Sequence, residues 1–81
     1  MTPDEIRTAF LQELTNVAPD IEPDTVGPDD HIQDDLGLDS MDVLTLVTAL
    51  HDRLGVDIPE ADYPQIATVA LAKVYLAGRM A

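Results

Sequence analysis

The chain has no cysteine and no tryptophan, one phenylalanine, and only four Lys and Arg among its 81 residues. Each shortage excludes a class of answer. Without cysteine there is no disulfide framework, no thiolate nucleophile and no thiolate metal site, so nothing demands an oxidising compartment and the chain carries no reactive sulfur of its own. Sixteen Asp and Glu against so few cations give a formal net charge of −12, which repels nucleic acid and anionic membrane surfaces and attracts basic protein patches. No apolar run approaches a membrane-spanning length, and the opening MTPDEIRT lacks the basic and apolar regions of a signal peptide. The expectation is a cytoplasmic protein with no nucleic acid partner and no membrane insertion. Residues 1–81 read as one small domain, with a core just large enough for independent folding and too small to enclose a substrate as an enzyme cleft does.

What is present is a helical pattern. Thr2 reads as an N-cap, Pro3 as the first helical residue and Glu5 as the partner that completes a capping box. Ile6, Ala9, Phe10, Leu14 and Val17 then recur as a buried stripe, with Leu11 off its centre, until Pro19 forbids further helix. From Pro19 to Leu38 come three prolines, two glycines and many aspartates. This is a long loop, pinned across the fold by Ile21, Val26, Ile32, Leu36 and Leu38. Ser40 to Leu54 is the clearest helix: Val43, Leu46, Val47, Leu50 and Leu54 form its core face and Gly55 ends it. Met41, Leu44, Thr45, Thr48 and Asp52 point away from that face, so Met41 and Leu44 are apolar residues directed at solvent. The stretch EADYPQI allows only a short helical turn because of Pro64. Thr68 then caps a last helix, VALAKVYLAG, with Val69, Ala72 and Leu76 as its stripe, Leu71 and Tyr75 beside it, and Gly78 at its end. The expected class is all-α: a small four-helix bundle of three longer helices and one short third helix, with a long loop between helices one and two.

Ser40 stands where that loop becomes the second long helix. A serine there is most often an N-cap, its hydroxyl accepting a bond from an unpaired backbone N–H; the alternative is that the hydroxyl is a chemical handle. A hydrolase nucleophile elbow needs G-x-S-x-G after a strand, and LDSMD has neither the glycines nor the strand. His31 in the polar loop and His51 on the helix surface read as solvated side chains with no catalytic role. From Asp20 to Asp42 there are nine Asp or Glu and no Lys or Arg, which invites a calcium reading. Setting Gly37 at position six of a calcium loop puts Ile32 and Val43 where carboxylates are required, so no dedicated metal site follows, and only loose divalent binding stays open. Asp34 and Asp35 read as solvated acidic surface. No catalytic residue is assigned and no enzyme is expected. The handle survives elimination: a helix N-terminus favours a phosphate ester on the hydroxyl, Met41 and Leu44 offer an apolar patch beside it, and the aspartates attract a basic partner.

The stretch LGLDSMDVLTLVTALHDRLGVDIPEADYPQIATV resembles an acyl carrier protein of the phosphopantetheine-binding carrier family. A D-S-[L/M] element after L-G-x, the apolar helix, VDIP, and TV opening the last helix fall in the family's order and spacing. The resemblance implies that Ser40 receives 4′-phosphopantetheine from coenzyme A through a magnesium-dependent phosphopantetheinyl transferase. The arm's thiol would then hold acyl groups as thioesters for fatty acid, polyketide or related biosynthesis. Its implied partners are the transferase and acyl-loading, condensing and other acyl-processing enzymes with basic docking patches, met by a monomer. Asp39, Ser40 and Met41 match the attachment motif. Partner recognition falls to Asp39, Met41, Leu44, Thr45, Thr48 and Asp52. Val47, Leu50, Ile66 and Ala72 would line an acyl cavity, although by pattern alone they are plain core. Two departures stand out. Thr45, His51 and Arg53 occupy positions that are commonly acidic in carriers of primary fatty acid synthesis, and Pro64 stiffens or partly unwinds the short third helix. The competing reading is a small acidic helical interaction module with no prosthetic group, in which Ser40 is only a cap and Met41 and Leu44 bind a basic partner directly.

Overall fold

The capping box at the start of the chain closes as its residues demand: the Glu5 N–H donates to Thr2 Oγ1 at 3.2 Å and the Thr2 N–H to Glu5 Oε1 at 2.8 Å. In this computed structural model, which describes residues 1–80, that cap opens α1, Pro3–Val17. A single 3₁₀ turn, Pro23–Thr25, interrupts the loop that follows. The second helix, α2, is Ser40–Leu54. Glu60–Ile66 is a 3₁₀ helix with Pro64 inside it, and α3 is Val69–Met80. No strand occurs among the described residues. The 3₁₀ form of the third segment follows from Pro64, which has no N–H to give to an α-helical ladder.

The core is a layer of side chains between the three α-helices. Ile6, Phe10 and Leu14 of α1, Leu46 and Leu50 of α2, and Leu76 of α3 are buried against one another, together with Ile66. Each such side chain contributes about 1.5–3 kcal/mol on burial. Leu11, expected off the stripe, is buried as well. The reason is topological: α1 packs against both α2 and α3, so its apolar arc is wider than one contact stripe.

The long loop is tied down by both side chains and backbone. Val26, Ile32 and Leu38 are buried. The Ile32 N–H donates to the Ala67 carbonyl at 2.9 Å, and the Ala70 N–H donates to the Pro28 carbonyl at 2.9 Å. The second bond satisfies one of the otherwise unpaired N–H groups in the first turn of α3, and Thr68 Oγ1 takes another from Leu71 at 3.1 Å. Gly55, at φ 70°, closes α2 in the left-handed conformation that glycine adopts without penalty.

Two expectations about helix ends need correction. Ser40 is not the cap of α2: Asp39 is, its carboxylate accepting from the Asp42 N–H at 2.8 Å while Asp42 accepts from the Asp39 N–H at 3.2 Å. A carboxylate is as good a cap as a hydroxyl, and a second acid three residues on completes a reciprocal box. Nor does Gly78 end α3, which continues to Met80. Glycine inside a helix costs about 1 kcal/mol against alanine. Arg79 supplies the offset by anchoring the last turn to Tyr75 and Asp62.

Candidate functional site

Because Asp39 holds the cap, Ser40 is the first residue of α2, and its side chain is exposed. The Ser40 hydroxyl makes no hydrogen bond to any described residue. In the first turn the Asp42 N–H goes to Asp39 Oδ1 and the Val43 N–H to the Asp39 carbonyl at 3.1 Å. The N–H groups of Ser40 and Met41 have no partner among the described residues, so the positive end of the helix faces solvent beside the serine. A phosphodiester on Ser40 Oγ fits this setting. Its charge would meet two free donors, while the nearest carboxylates, Asp39 and Asp42, are already bound to backbone N–H groups. Among the described residues no three His, Asp or Glu side chains gather as a metal site.

Ser40 also lies on the wall of a cleft of about 530 Å³, within the size range of small-molecule pockets. The N-terminal turn of α2 forms one side with Met41, Val43 and Leu44, and the long loop adds His31, Ile32 and Gln33. The third segment and the residue after it close the other side with Glu60, Tyr63, Pro64 and Ala67. Apolar side chains dominate, and the polar groups sit among them singly. Of the residues singled out from the sequence, Ser40, Met41 and Leu44 come together here. The four proposed for an acyl cavity do not: Val47, Leu50, Ile66 and Ala72 are buried in the closed core and none lines the cleft. Val43, Tyr63, Pro64 and Ala67 carried no marker of a site in the sequence. Only Val43, one turn on from Ser40, has a local signal; the opposite wall is brought in by tertiary packing.

The free face of α2, which starts at the cleft wall, is less polar than its composition implies. Met41 is 67% exposed and Leu44 47%. Thr45 Oγ1 donates to the Met41 carbonyl at 3.0 Å, and Thr48 Oγ1 donates to the Leu44 carbonyl at 3.0 Å. Both hydroxyls are therefore turned to the helix backbone, which leaves the methyl groups toward solvent. Asp39 at one end and Asp52 toward the other are exposed, so carboxylates bracket an uncharged strip.

Residues 4–71 match the protein family described as the phosphopantetheine attachment site. The chain is 36% identical over 73 residues to the acyl carrier protein of Beutenbergia cavernae, spanning 90% of this chain and 89% of that one. It is 32% identical over 73 residues to the acyl carrier protein of Campylobacter hominis, spanning 90% of this chain and 86% of the other. Among solved structures, that of the acyl carrier protein from Enterococcus faecalis superposes with a TM-score of 0.81 at 34% identity, covering 98% of this chain and 99% of that one.

Proposed function

The chain belongs to the phosphopantetheine-attachment family of acyl carrier proteins, and from that premise we propose that Ser40 is the residue that bears the 4′-phosphopantetheine arm. Membership makes the chain a carrier of acyl groups with phosphopantetheine as its prosthetic group. When attached, the arm supplies the thiol that this cysteine-free chain lacks, on which acyl groups ride as thioesters. Such carriers have no catalytic activity of their own, and we assign none to this one.

The observation that carries the residue assignment is the placement of Ser40: exposed, first in α2, beside two unpaired N–H groups and on the wall of an apolar cleft. Asp39 holds the helix end in place, which leaves the serine hydroxyl unengaged and open to a transferase. The partner surface follows from the same turn. Met41 and Leu44 give apolar contact, Thr45 and Thr48 extend it with methyl groups, and Asp39 and Asp52 steer basic side chains of a phosphopantetheinyl transferase and of acyl-loading and condensing enzymes to its two ends. We place the apolar part of the cargo in this cleft, against Met41, Leu44, Tyr63 and Pro64. Val47 and Ile66 lie behind that cleft, one turn on from Val43 and next to Ala67. A cavity reaching Val47, Leu50, Ile66 and Ala72 would require the core to open. We read the working form as a cytoplasmic monomer serving fatty acid, polyketide or related biosynthesis.

Incubation with coenzyme A, magnesium and a broad-specificity transferase tests the assignment. The intact mass of the full chain rises by one phosphopantetheine, peptide mapping puts the increment on Ser40, and the Ser40→Ala variant stays unmodified. An increment that persists in that variant overturns the assignment.

A further inference from the structure

Asp62, Tyr75 and Arg79 form a closed triangle between the third segment and α3. The Tyr75 hydroxyl donates to Asp62 Oδ2 at 2.7 Å, Arg79 Nη2 donates to the same oxygen at 2.9 Å, and Arg79 Nε donates to the Tyr75 hydroxyl at 3.1 Å. The guanidinium carbon also stands 5.2 Å from the centre of the Tyr75 ring, within range of a cation–π contact. Burial, together with the bond to Asp62, pushes the Tyr75 phenol above its ordinary value of 10.0, so near neutral pH the hydroxyl keeps the proton it donates.

Apart from buried Ile58, two residues before it, and half-buried Tyr63, which packs against the core, little else holds the first turn of Glu60–Ile66. The segment starts without a side-chain cap, and its Glu60, Ala61, Pro64 and Gln65 are exposed. Its far end is fixed independently by buried Ile66 and by the bond from the Ile32 N–H to the Ala67 carbonyl. The triangle therefore adds a side-chain tether to a turn otherwise anchored only by Ile58 and Tyr63. That end of the segment also carries Glu60, Tyr63 and Pro64, which form one wall of the cleft beside Ser40.

We propose that Asp62, Tyr75 and Arg79 are positioning residues that clamp the first turn of Glu60–Ile66 onto α3 and so set the width of the cleft beside Ser40. The clamp swings on its fixed end: with the triangle broken, Tyr63, the neighbour of Asp62, moves away from Met41 and Leu44 and the cleft opens to water. Among the described residues two of the chain's four Lys and Arg form ion pairs between separate elements, Arg79 with Asp62 and Arg53 with Glu13; Asp62, the partner of Arg79, directly precedes Tyr63 of the cleft wall. The clamp is a property of the unmodified chain, whereas its bearing on cargo rests on the assignment of Ser40 and the cleft made above.

The test has two readouts on the full chain. Hydrogen exchange is measured first on the unmodified protein and on Asp62→Ala, Tyr75→Phe and Arg79→Gln. Amides of residues 60–63 exchange roughly fivefold faster or more in the variants, while those of Ile66 and Ala67 and the core amides of Phe10, Leu46 and Leu50 keep their rates. Arg79→Lys, which retains the charge, restores part of the protection. Unchanged exchange at 60–63, or an acceleration uniform along the chain, overturns the clamp. The second readout loads each protein with a phosphopantetheine analogue that ends in an environment-sensitive fluorophore. Emission shifts to the red and collisional quenching rises in the variants; equal shielding in all of them overturns the link from clamp to cleft. Failure of the parent chain to load at Ser40 overturns the site assignment instead, and the exchange result still decides the clamp.

Discussion

On one face of α2, Leu46 and Leu50 are fully buried and Val47 is 8% exposed; on the other, two and five residues before Leu46, Leu44 is 47% and Met41 67% exposed. The two faces draw on the same kinds of side chain. What separates them is angle around the helix axis, at about 100° per residue. The buried face is closed by α1 and supplies cohesion. The open face has no helix packed on it as α1 packs on the other, its threonine hydroxyls are turned inward, and it runs from the free serine along the cleft wall. A single exposed leucine means little. Several apolar groups in line with Ser40 make up the surface proposed above for partners, and the difference between the faces separates the residues that hold the fold from those assigned to that proposal.

The most severe way to break the comparison is to put a charge on the closed face. Val47→Glu buries an unpaired carboxylate among Leu46, Leu50 and α1, and is expected to cost several kcal/mol. That is a large share of the roughly 5–15 kcal/mol available to a domain. Urea unfolding followed by circular dichroism reads it directly, and a variant within 1 kcal/mol of the parent would mean that Val47 has an exit to solvent that the packing does not contain.

A smaller effect belongs to the end of α2, between the faces. Asp39→Ala removes the acceptor of the Asp42 N–H and is expected to cost about 1 kcal/mol. Ser40→Ala, one residue on, removes a hydroxyl that bonds to no described residue and installs a strong helix former, so its stability stays within about 0.5 kcal/mol of the parent. The pair separates cap from handle: the first variant loses stability and still accepts the arm, at a lower rate because Asp39 also steers the transferase, while the second keeps its stability and does not accept it. Equal losses of stability in the two would return the cap to Ser40.

The parts of this molecule that were legible in the sequence are those decided within a few residues. The Thr2 and Glu5 box, the span of α2, the Thr68 cap and the outward direction of Met41 and Leu44 all follow from spacings of three, four or seven. The parts that were not legible depend on partners far along the chain. Arg79 keeps α3 helical past Gly78 through a bond to Asp62, 17 residues earlier. Leu11 is buried because α1 has neighbours on two sides. The cleft is assembled from residues 31–33, 40–44 and 60–67, so no single stretch of sequence announces it. Ser40 was read as the cap because serine caps helices, but the aspartate before it caps them as well, and a shift of one residue in the start of the helix decides between them. The pattern of Val47, Leu50, Ile66 and Ala72 says apolar and inward, which a core residue and a cavity wall satisfy equally.

The subtlest probe acts on the open face and leaves the fold intact. Leu44→Glu replaces a half-exposed side chain with one that solvent accepts, and the change in unfolding free energy stays within about 0.5 kcal/mol. Its consequence appears in association. An apolar anchor next to Ser40 is lost, and a carboxylate must be desolvated wherever a partner covers the strip between Asp39 and Asp52. Loading by a phosphopantetheinyl transferase therefore slows mainly through a higher KM, and the deficit narrows as carrier concentration is raised. Leu44→Met, which keeps an apolar side chain of similar volume, loads close to the parental rate. Unfolding curves and loading kinetics on the two variants, beside Val47→Glu, place the boundary between the faces. If Leu44→Glu unfolds the domain, the helix is rotated from the orientation described; if it is stable and loads with parental kinetics, the open face of α2 is surface without a docking role.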